Sequence, residues 1–201
     1  MKYFRKLIGE KCYLSPISLD DLEKYTEWVN DMEVGQFVLF AAGVYDVDKE
    51  RATLEHLMKH GTIFAIIEKD TNKVIGNCGI HDKSDVHRTG AFGIFIGDKS
   101  YWNQGFGTDA TLLTLDYAFN ILNLNSVTLD VNDFNKRGVK CYEKCGFKFV
   151  GRRRQATFMA GQFHDVLVYD ILASEFESPY VKKLFNKSIH ENADSNKITI
   201  V

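Results

Sequence analysis

The order of elements in the middle of the chain constrains the fold most. A strand is predicted at 90–97, and a polar, glycine-bearing loop follows at 98–107. From Thr108 the apolar residues recur at spacings of three and four, which is typical of a helix. Apolar and polar residues then alternate over 127–131, which predicts another strand. This strand–loop–helix–strand unit requires a layered fold in which the helix covers one face of a sheet.

The first half of the chain predicts antiparallel pairing instead. Residues 63–67 and 74–80 have the composition of strands, and the turn Asp70–Lys73 joins them into a hairpin. Two closing strands are predicted at 147–150 and 164–172. Together with predicted helices before and after these strands, the pattern indicates an α+β domain.

Length and charge narrow the class of protein. A chain of 201 residues with a formal net charge of −2 is expected to form one domain with a tail, and it shows no basic region for nucleic acid. No run approaches the roughly 18 apolar residues of a membrane span, and a cytoplasmic location is expected. The four cysteines form no Cys-x-x-Cys pair and have no histidine nearby, which predicts free thiols and no metal site.

The loop before the central helix carries the first chemical signal. Gly105 and Gly107 can adopt positive φ and leave no side chain in the way, so successive backbone N–H groups can face one anion. The helix that follows adds unpaired N–H groups and the positive end of its dipole. A Gly-x-Gly pair by itself is typical of a plain turn, but its place between a strand and a helix favours a phosphate site.

Other phosphate motifs are incomplete in this loop. A dinucleotide site requires a third glycine, where this chain has Ala110, and it requires a parallel array that the predicted hairpin argues against. The Gly-Lys-Ser/Thr of a Walker loop is absent from the sequence. Coenzyme A is the remaining diphosphate ligand, because its pantetheine arm can lie along a strand edge. A nucleotide-binding domain for NAD or ATP stays an alternative.

Two further motifs follow the loop at fixed spacing. Trp102-x-x-Gly-x-Gly107, then Asn135, then Tyr142-Glu-x-x-Gly-Phe147 resemble the GNAT superfamily of N-acetyltransferases. Tyr13–Pro16 and Phe158-x-x-Gly-x-x-His-Asp165 are similar to the RimJ/RimL-like branch, which acetylates the N-termini of ribosomal proteins.

The resemblance implies one domain over residues 8–176 and a C-terminal extension, 177–201, that is partly disordered. The implied fold has a mixed, mostly antiparallel central sheet, flanked by helices, in which a strand at 92–96 is splayed from the strand at 127–131. The implied cofactor is acetyl-coenzyme A, whose pantetheine arm fills the gap. The residues implied to bind the cofactor are Phe92, Ile94, Phe95, Ile96, Trp102, Gln104, Gly105, Phe106, Gly107, Thr108, Asp109 and Asn135.

The implied reaction is acetyl transfer to a primary amine by direct attack, which makes the protein an acyltransferase. Tyr142 is implied to lie near the cofactor sulfur, where its phenol can return a proton to the leaving thiolate. The acceptor is expected to be a peptide N-terminus or a small amine. An α-amine with a pKa of about 7.7–8.0 needs little help to lose a proton, whereas an amine with a pKa of about 10.4 needs a base.

His81 is the predicted base, because it ends a strand next to the expected cleft; the other candidates are Asp82, His87, His164 and Asp165. His164-Asp165 is expected to be a turn pair that caps the closing hairpin. Ala91 stands where many relatives carry a glutamate, which argues against a polyamine acceptor. The run Arg152–Arg154 is expected to be a solvated strand end, with the 3′-phosphate of coenzyme A as its alternative partner.

Two other functions stay open at this point. One is a non-catalytic module that senses acyl-coenzyme A or mediates assembly, and the other is a polyamine acetyltransferase. The sequence is also compatible with a homodimer formed through sheet edges or the C-terminal extension.

Overall fold

A computed structural model describes residues 2–38 and 42–187. Eight strands of this part of the chain form a single sheet. The strands are β1 (Leu7–Ile8), β2 (Cys12–Pro16), β3 (Thr62–Glu68), β4 (Val74–Ser84), β5 (Thr89–Ile96), β6 (Ser126–Asn132), β7 (Lys148–Met159) and β8 (Gln162–Leu172). The α-helices are α1 (Leu22–Asn30), α2 (Met32–Gly35), α3 (Val47–His60), α4 (Phe106–Asn120), α5 (Lys136–Lys144) and α6 (181–187). Short 3-10 turns lie at Leu19–Asp21, Lys99–Tyr101 and Ala173–Glu175.

The strand order is β1-β2-β3-β4-β5-β6-β8-β7. Each neighbouring pair is antiparallel except β5 and β6, which are parallel. That exception follows from the connection, because helix α4 carries the chain back along the sheet between the two strands. The predicted mixed, mostly antiparallel sheet flanked by helices is therefore confirmed.

Strands β5 and β6 pair over one end only. Their register joins Thr89–Ala91 to Ser126–Thr128, and no pairing continues from Phe92 or Leu129 onward. The predicted splayed pair is thus present, and the gap between the strands opens toward the loop that precedes α4.

The side chains of alternate strand residues build two cores on opposite faces of the sheet. Leu14 and Ile66 belong to the larger core, which α4 and α5 cover. Tyr13 and Ile67 belong to the smaller core, which α1 and α3 cover. The two faces consequently present different helices to the gap between β5 and β6.

The edges of the sheet differ from the prediction. Strand β7 runs to Met159 rather than ending at 150, and β1 and β2 were not predicted. Most β7 side chains are exposed, since this strand lies at the sheet edge, so the apolar alternation that marks a strand is missing there. The turn of the closing hairpin lies at Ala160–Gly161, where both residues have positive φ.

The predicted domain boundary at 176 stays a prediction. The described part of the extension contacts α4, because the Tyr180 and Val181 N–H groups and the Ser178 hydroxyl donate to Asp116. Most of the segment expected to be disordered, 188–201, lies outside the described residues. Among residues 2–38 and 42–187, no helix has the length and apolar character needed to cross a bilayer.

Candidate active site

A cavity of about 280 Å³ lies at the open end of the gap between β5 and β6. Residues 94–96 of β5 line one wall, and the loop before α4 and the face of α5 line the others. Val34, Phe37 and Val38 contribute from α2 and the segment after it. The cavity therefore joins the splayed strand to the predicted phosphate loop.

The phosphate loop closes into a tight turn at Gly105. This residue has φ 88° and ψ −3°, a left-handed conformation that favours glycine, and it caps the N-terminus of α4. The Asp109 N–H donates to the Gly105 carbonyl at 3.0 Å. The N–H groups of the three residues between them, 106–108, have no helical carbonyl one turn earlier to which they could donate. A side chain on Gly105 would meet Lys11, with its Cβ 3.2 Å from the Lys11 Cε.

The geometry of this turn fits a diphosphate. The N-terminus of a helix offers unpaired N–H groups and a positive dipole end to an anion. Thr108 lines the cavity from the first turn of that helix, and Gly107 leaves the approach open. The residues present could thus hold the pyrophosphate of coenzyme A through backbone groups rather than through charged side chains.

Helix α5 adds positive charge to the same cavity. Arg137, Lys140 and Lys144 line it, and their spacing of three and four residues places them on one face of the helix. The Arg137 guanidinium lies 3.6 Å from the centre of the Trp102 ring, a cation–π contact that fixes its position. The sequence analysis missed these three residues, although their helical spacing from one another was a readable signal.

Tyr142 lies deep in the cavity wall. Its ring packs edge-on against Phe92 at 6.2 Å and against Phe147 at 6.0 Å, and the residue is 8% exposed. Its hydroxyl has no hydrogen-bond partner among the described residues. Burial raises the pKa of Tyr142 well above its ordinary value, so the phenol keeps its proton at neutral pH.

His81 lies at the other end of the gap and on the opposite face of the sheet. It is paired with Ala91, the last β5 residue that pairs with β6. Its Nδ1 is 2.9 Å from an Asp82 carboxylate oxygen, and a Cβ on Gly93 would lie 3.5 Å from its Nε2. The imidazole does not line the cavity, so the structure does not bring His81 and Tyr142 together on one wall.

The predicted cofactor residues divide into two groups. Those that line the cavity are Ile94, Phe95, Ile96, Trp102, Gly105, Gly107, Thr108 and Asn135. Those that do not are Phe92, Gln104, Phe106 and Asp109. The side chains of Phe92 and Phe106 belong to the core. Asn135 also caps α5, since its Oδ1 accepts from the Gly138 N–H at 2.9 Å.

Asp109 has a structural position instead. Its carboxylate accepts from the N–H groups of Glu10, Lys11 and Cys12 at 2.8–3.1 Å, and from the Tyr180 hydroxyl at 2.6 Å. Burial alone would raise the pKa of Asp109, but these donors hold it below its ordinary value. The carboxylate thereby anchors the turn at Gly105 to the start of β2.

His164 and Asp165 were expected in a hairpin turn, which is wrong. Both lie within β8, and the Asp165 carboxylate accepts from the Gln155 N–H at 2.9 Å because a register shift in β7 exposes that group. The His164 Nδ1 lies 3.4 Å from Asp133. Arg152 and Arg153 pair with Asp165 and Asp130, which directs these two side chains to carboxylates of the sheet.

The gap between the parallel strands and the helix N-terminal turn at its open end form the arrangement that the resemblance implied for a coenzyme A-dependent acyltransferase. Residues 11–148 match the family model described as an acetyltransferase (GNAT) domain, and the chain belongs to this family. The family uses acetyl-coenzyme A, so the predicted cofactor and the predicted N-acetyltransferase activity are confirmed.

The relatives carry different acceptor names. An N-acetyltransferase p20 of Bacillus licheniformis is 26% identical over 85% of this chain and 97% of its own length. A spermidine N(1)-acetyltransferase of Vibrio cholerae is 34% identical over 55% of this chain and 64% of its own length. A putative ribosomal N-acetyltransferase, YdaF, of Bacillus subtilis is 25% identical over 85% and 96%.

A solved structure shares the fold. The spermidine N-acetyltransferase of Vibrio cholerae, in complex with coenzyme A and spermine, superposes with a TM-score of 0.74 at 24% identity. The match covers 82% of this chain and 97% of that one.

Proposed function

We propose that this enzyme acetylates the α-amine of a peptide or protein N-terminus, or of a small monoamine, in the manner of the RimJ/RimL-like branch. The observation that carries the proposal is the charge around the gap. On the face from which the amine would approach, β5 presents Ala91 rather than a carboxylate beside His81. A polyamine carries several positive charges, and an uncharged side chain at this position offers none of them a partner.

The donor end of the site depends on backbone groups. The N–H groups of Phe106, Gly107 and Thr108 would hold the pyrophosphate, with Arg137 and Lys140 adding charge along the wall. Acetyl-coenzyme A supplies the acetyl group as an activated thioester. The unpaired edge of β5 from Phe92 onward provides N–H groups that can stabilise negative charge on a carbonyl oxygen in the gap.

The proton transfers would fall to two side chains, His81 at the closed end of the gap and Tyr142 in the wall of the cavity. His81 would accept the proton of the amine at Nε2, because Asp82 holds the other ring nitrogen, Nδ1. Tyr142 would donate its hydroxyl proton to the leaving sulfur, since the phenol holds that proton at neutral pH. The two groups lie on opposite faces of the sheet, so the amine would approach from the α1 and α3 face.

An amine panel tests the acceptor. Peptides with free N-termini, the same peptides with blocked N-termini, and spermidine are incubated with acetyl-coenzyme A, and product is identified by mass spectrometry. We expect a higher kcat/KM for free N-termini than for spermidine and no product from blocked peptides that lack lysine. Binding of the cofactor without turnover on any amine would support the sensor instead.

A polyamine acceptor is the second candidate, because one relative at 34% identity is named a spermidine acetyltransferase. A preference for spermidine in the same panel would establish it and would overturn the charge argument. The homodimer also remains a proposal, and the mass of the eluting protein in size-exclusion chromatography with light scattering tests it.

A further inference from the structure

Cys141 lies in the cavity wall beside the phosphate turn. Its Sγ is 3.5 Å from the Thr108 hydroxyl, and a Cβ on Gly107 would lie 3.6 Å from the same sulfur. The other cysteines of the chain, Cys12, Cys78 and Cys145, are buried, whereas Cys141 is partly exposed. A reagent that enters the cavity therefore meets one thiol.

The surroundings of Cys141 favour its thiolate. The neighbouring Cys145 thiol, one helical turn along α5, lowers the pKa of Cys141 in spite of burial. The hydroxyls of Thr108 and Thr111 and the charge of Lys144 act in the same direction. The N-terminus of α4 is also a place where negative charge is stabilised. Cys141 thus has the environment of a reactive cysteine.

A second feature shows that this wall faces a ligand. Tyr142, the next residue, is more than nine-tenths buried, and its hydroxyl lacks a hydrogen-bond partner in the described part of the chain while lining the same cavity. The Tyr142 hydroxyl opens into the cavity, where a ligand or water can complete its hydrogen bonds. Cys141 and Tyr142 therefore border a site built to be filled.

We propose that Cys141 is a modification site for low-molecular-weight disulfides, and that its adduct and coenzyme A exclude one another. The exclusion rests on the proposed position of the pyrophosphate at the turn. The Cys141 thiolate attacks one sulfur of the disulfide, a new Cys141–sulfur bond forms, and the original S–S bond breaks. The cysteine is oxidised, and the other half leaves as a thiolate that takes a proton from solvent.

The adduct stays on Cys141 rather than passing to Cys145. Residues four apart on a helix have Cβ atoms about 5–6 Å apart. A disulfide needs a Cβ–Cβ distance of about 3.5–4.5 Å. Cys145, whose thiol donates to the Thr108 carbonyl at 3.8 Å, therefore does not resolve the mixed disulfide.

Glutathione disulfide tests the site on the full chain. Intact mass and peptide mapping are expected to show one glutathione on Cys141 of the wild-type protein and none on Cys141→Ser. The wild-type map locates the adduct even if the variant folds poorly. Desulfo-coenzyme A, which has no thiol to exchange, is then added at twenty times the Kd measured by calorimetry. By mass action the modification should slow about 20-fold.

Four results would count against the inference. The first is modification at another cysteine, and the second is an oxidised protein without added mass, which would mean a Cys141–Cys145 disulfide. The third is calorimetric binding of desulfo-coenzyme A with an unchanged rate of modification, which would refute the exclusion while leaving the proposed cofactor site intact. Absence of desulfo-coenzyme A binding would refute the cofactor site and the exclusion together.

Discussion

Helices α3 and α4 cover opposite faces of the sheet, and each buries carboxylate side chains. On α4, the carboxylates of Asp109 and Asp116 each accept several hydrogen bonds, from backbone N–H groups and from side chains. On α3, Glu50 is 2% exposed and its Oε2 has no hydrogen-bond partner within residues 2–38 and 42–187. The carboxylates of one helix are satisfied, and the carboxylate of the other is not.

This difference separates the two halves of the proposed reaction. Asp109 and Asp116 tie residues 10–12 and 178–181 to the helix whose N-terminus forms the phosphate turn, so the donor side is fixed before any ligand binds. The face of α1 and α3, from which the amine would approach, holds a buried acid that costs stability when ionised. We therefore expect the donor side to be rigid. On the acceptor side, we expect substitution of the buried acid to leave the stability of the protein unchanged or to increase it.

The largest expected effect concerns Tyr142. Tyr142→Phe should lower kcat by roughly 10²–10³-fold, because general acid catalysis typically contributes that much, while the affinity for acetyl-coenzyme A stays nearly unchanged. Steady-state kinetics and calorimetry measure the two quantities. Tyr169→Phe is the control, since its hydroxyl bonds Glu143 and the residue does not line the cavity. Wild-type turnover in Tyr142→Phe would remove this residue from the mechanism.

Asp109→Asn tests the rigidity of the donor side. An amide can offer one oxygen, and its NH₂ would face the N–H groups that now donate to the carboxylate. We expect a loss of roughly 3–4 kcal/mol in the free energy of unfolding, as for a broken buried charge network. Denaturant unfolding measures it. A change below about 1 kcal/mol would show that the hydrogen bonds of Asp109 do not make the donor side more rigid than the acceptor side.

Gly105→Val tests the turn itself. A β-branched residue resists the left-handed conformation, and its side chain would press on Lys11 beside the turn. We expect coenzyme A affinity to fall roughly 100-fold, which corresponds to about 2.7 kcal/mol. Calorimetry on protein shown to be folded by circular dichroism measures the affinity.

Gly151→Val is the matched control for this turn. A Cβ on Gly151 meets nothing within 4 Å, and Gly151 lies in the edge strand β7. It should leave coenzyme A affinity unchanged. Equal affinities in both variants would refute the phosphate cradle.

The two sides also differed in how far the sequence predicted them. The donor turn is a contiguous stretch whose function depends on backbone conformation, so Gly105, Gly107 and the following helix were sufficient to predict it. The place of Asp109 was not predictable, because its partners lie about 100 residues away in the N-terminal segment. The contact between Arg137 and Trp102 across the cavity was not predictable for the same reason, because the two residues are far apart in the sequence.

The acceptor side depends on side chains from several elements, and its prediction was weaker. His81 was predicted beside the cleft, but only the strand register shows that it faces away from Tyr142. Nothing in the apolar spacing of α3 marked Glu50, since a glutamate within a helix is ordinarily on the solvent side.

Glu50→Gln is expected to have the smallest effect. It should raise the free energy of unfolding, whereas Asp109→Asn should lower it. Burial raises the pKa of Glu50 from 4.5 to about 7. The folded state therefore binds this proton more tightly than the unfolded state does. Stability that is present below about pH 4.5 is lost as the pH rises through 7 and stays lost above it.

The amide cannot ionise, so the variant should lack this loss. We expect Glu50→Gln to be close to wild type at pH 5 and more stable by about 2 kcal/mol at pH 8, below the roughly 3 kcal/mol that the full pKa shift would give. Denaturant unfolding at a series of pH values measures the difference. A gain of equal size at both pH values would indicate a packing effect, and a loss at pH 8 would mean that the ionised carboxylate has a stabilising partner. Only a gain that grows between pH 5 and 8 assigns the instability of the α3 face to the charge on Glu50.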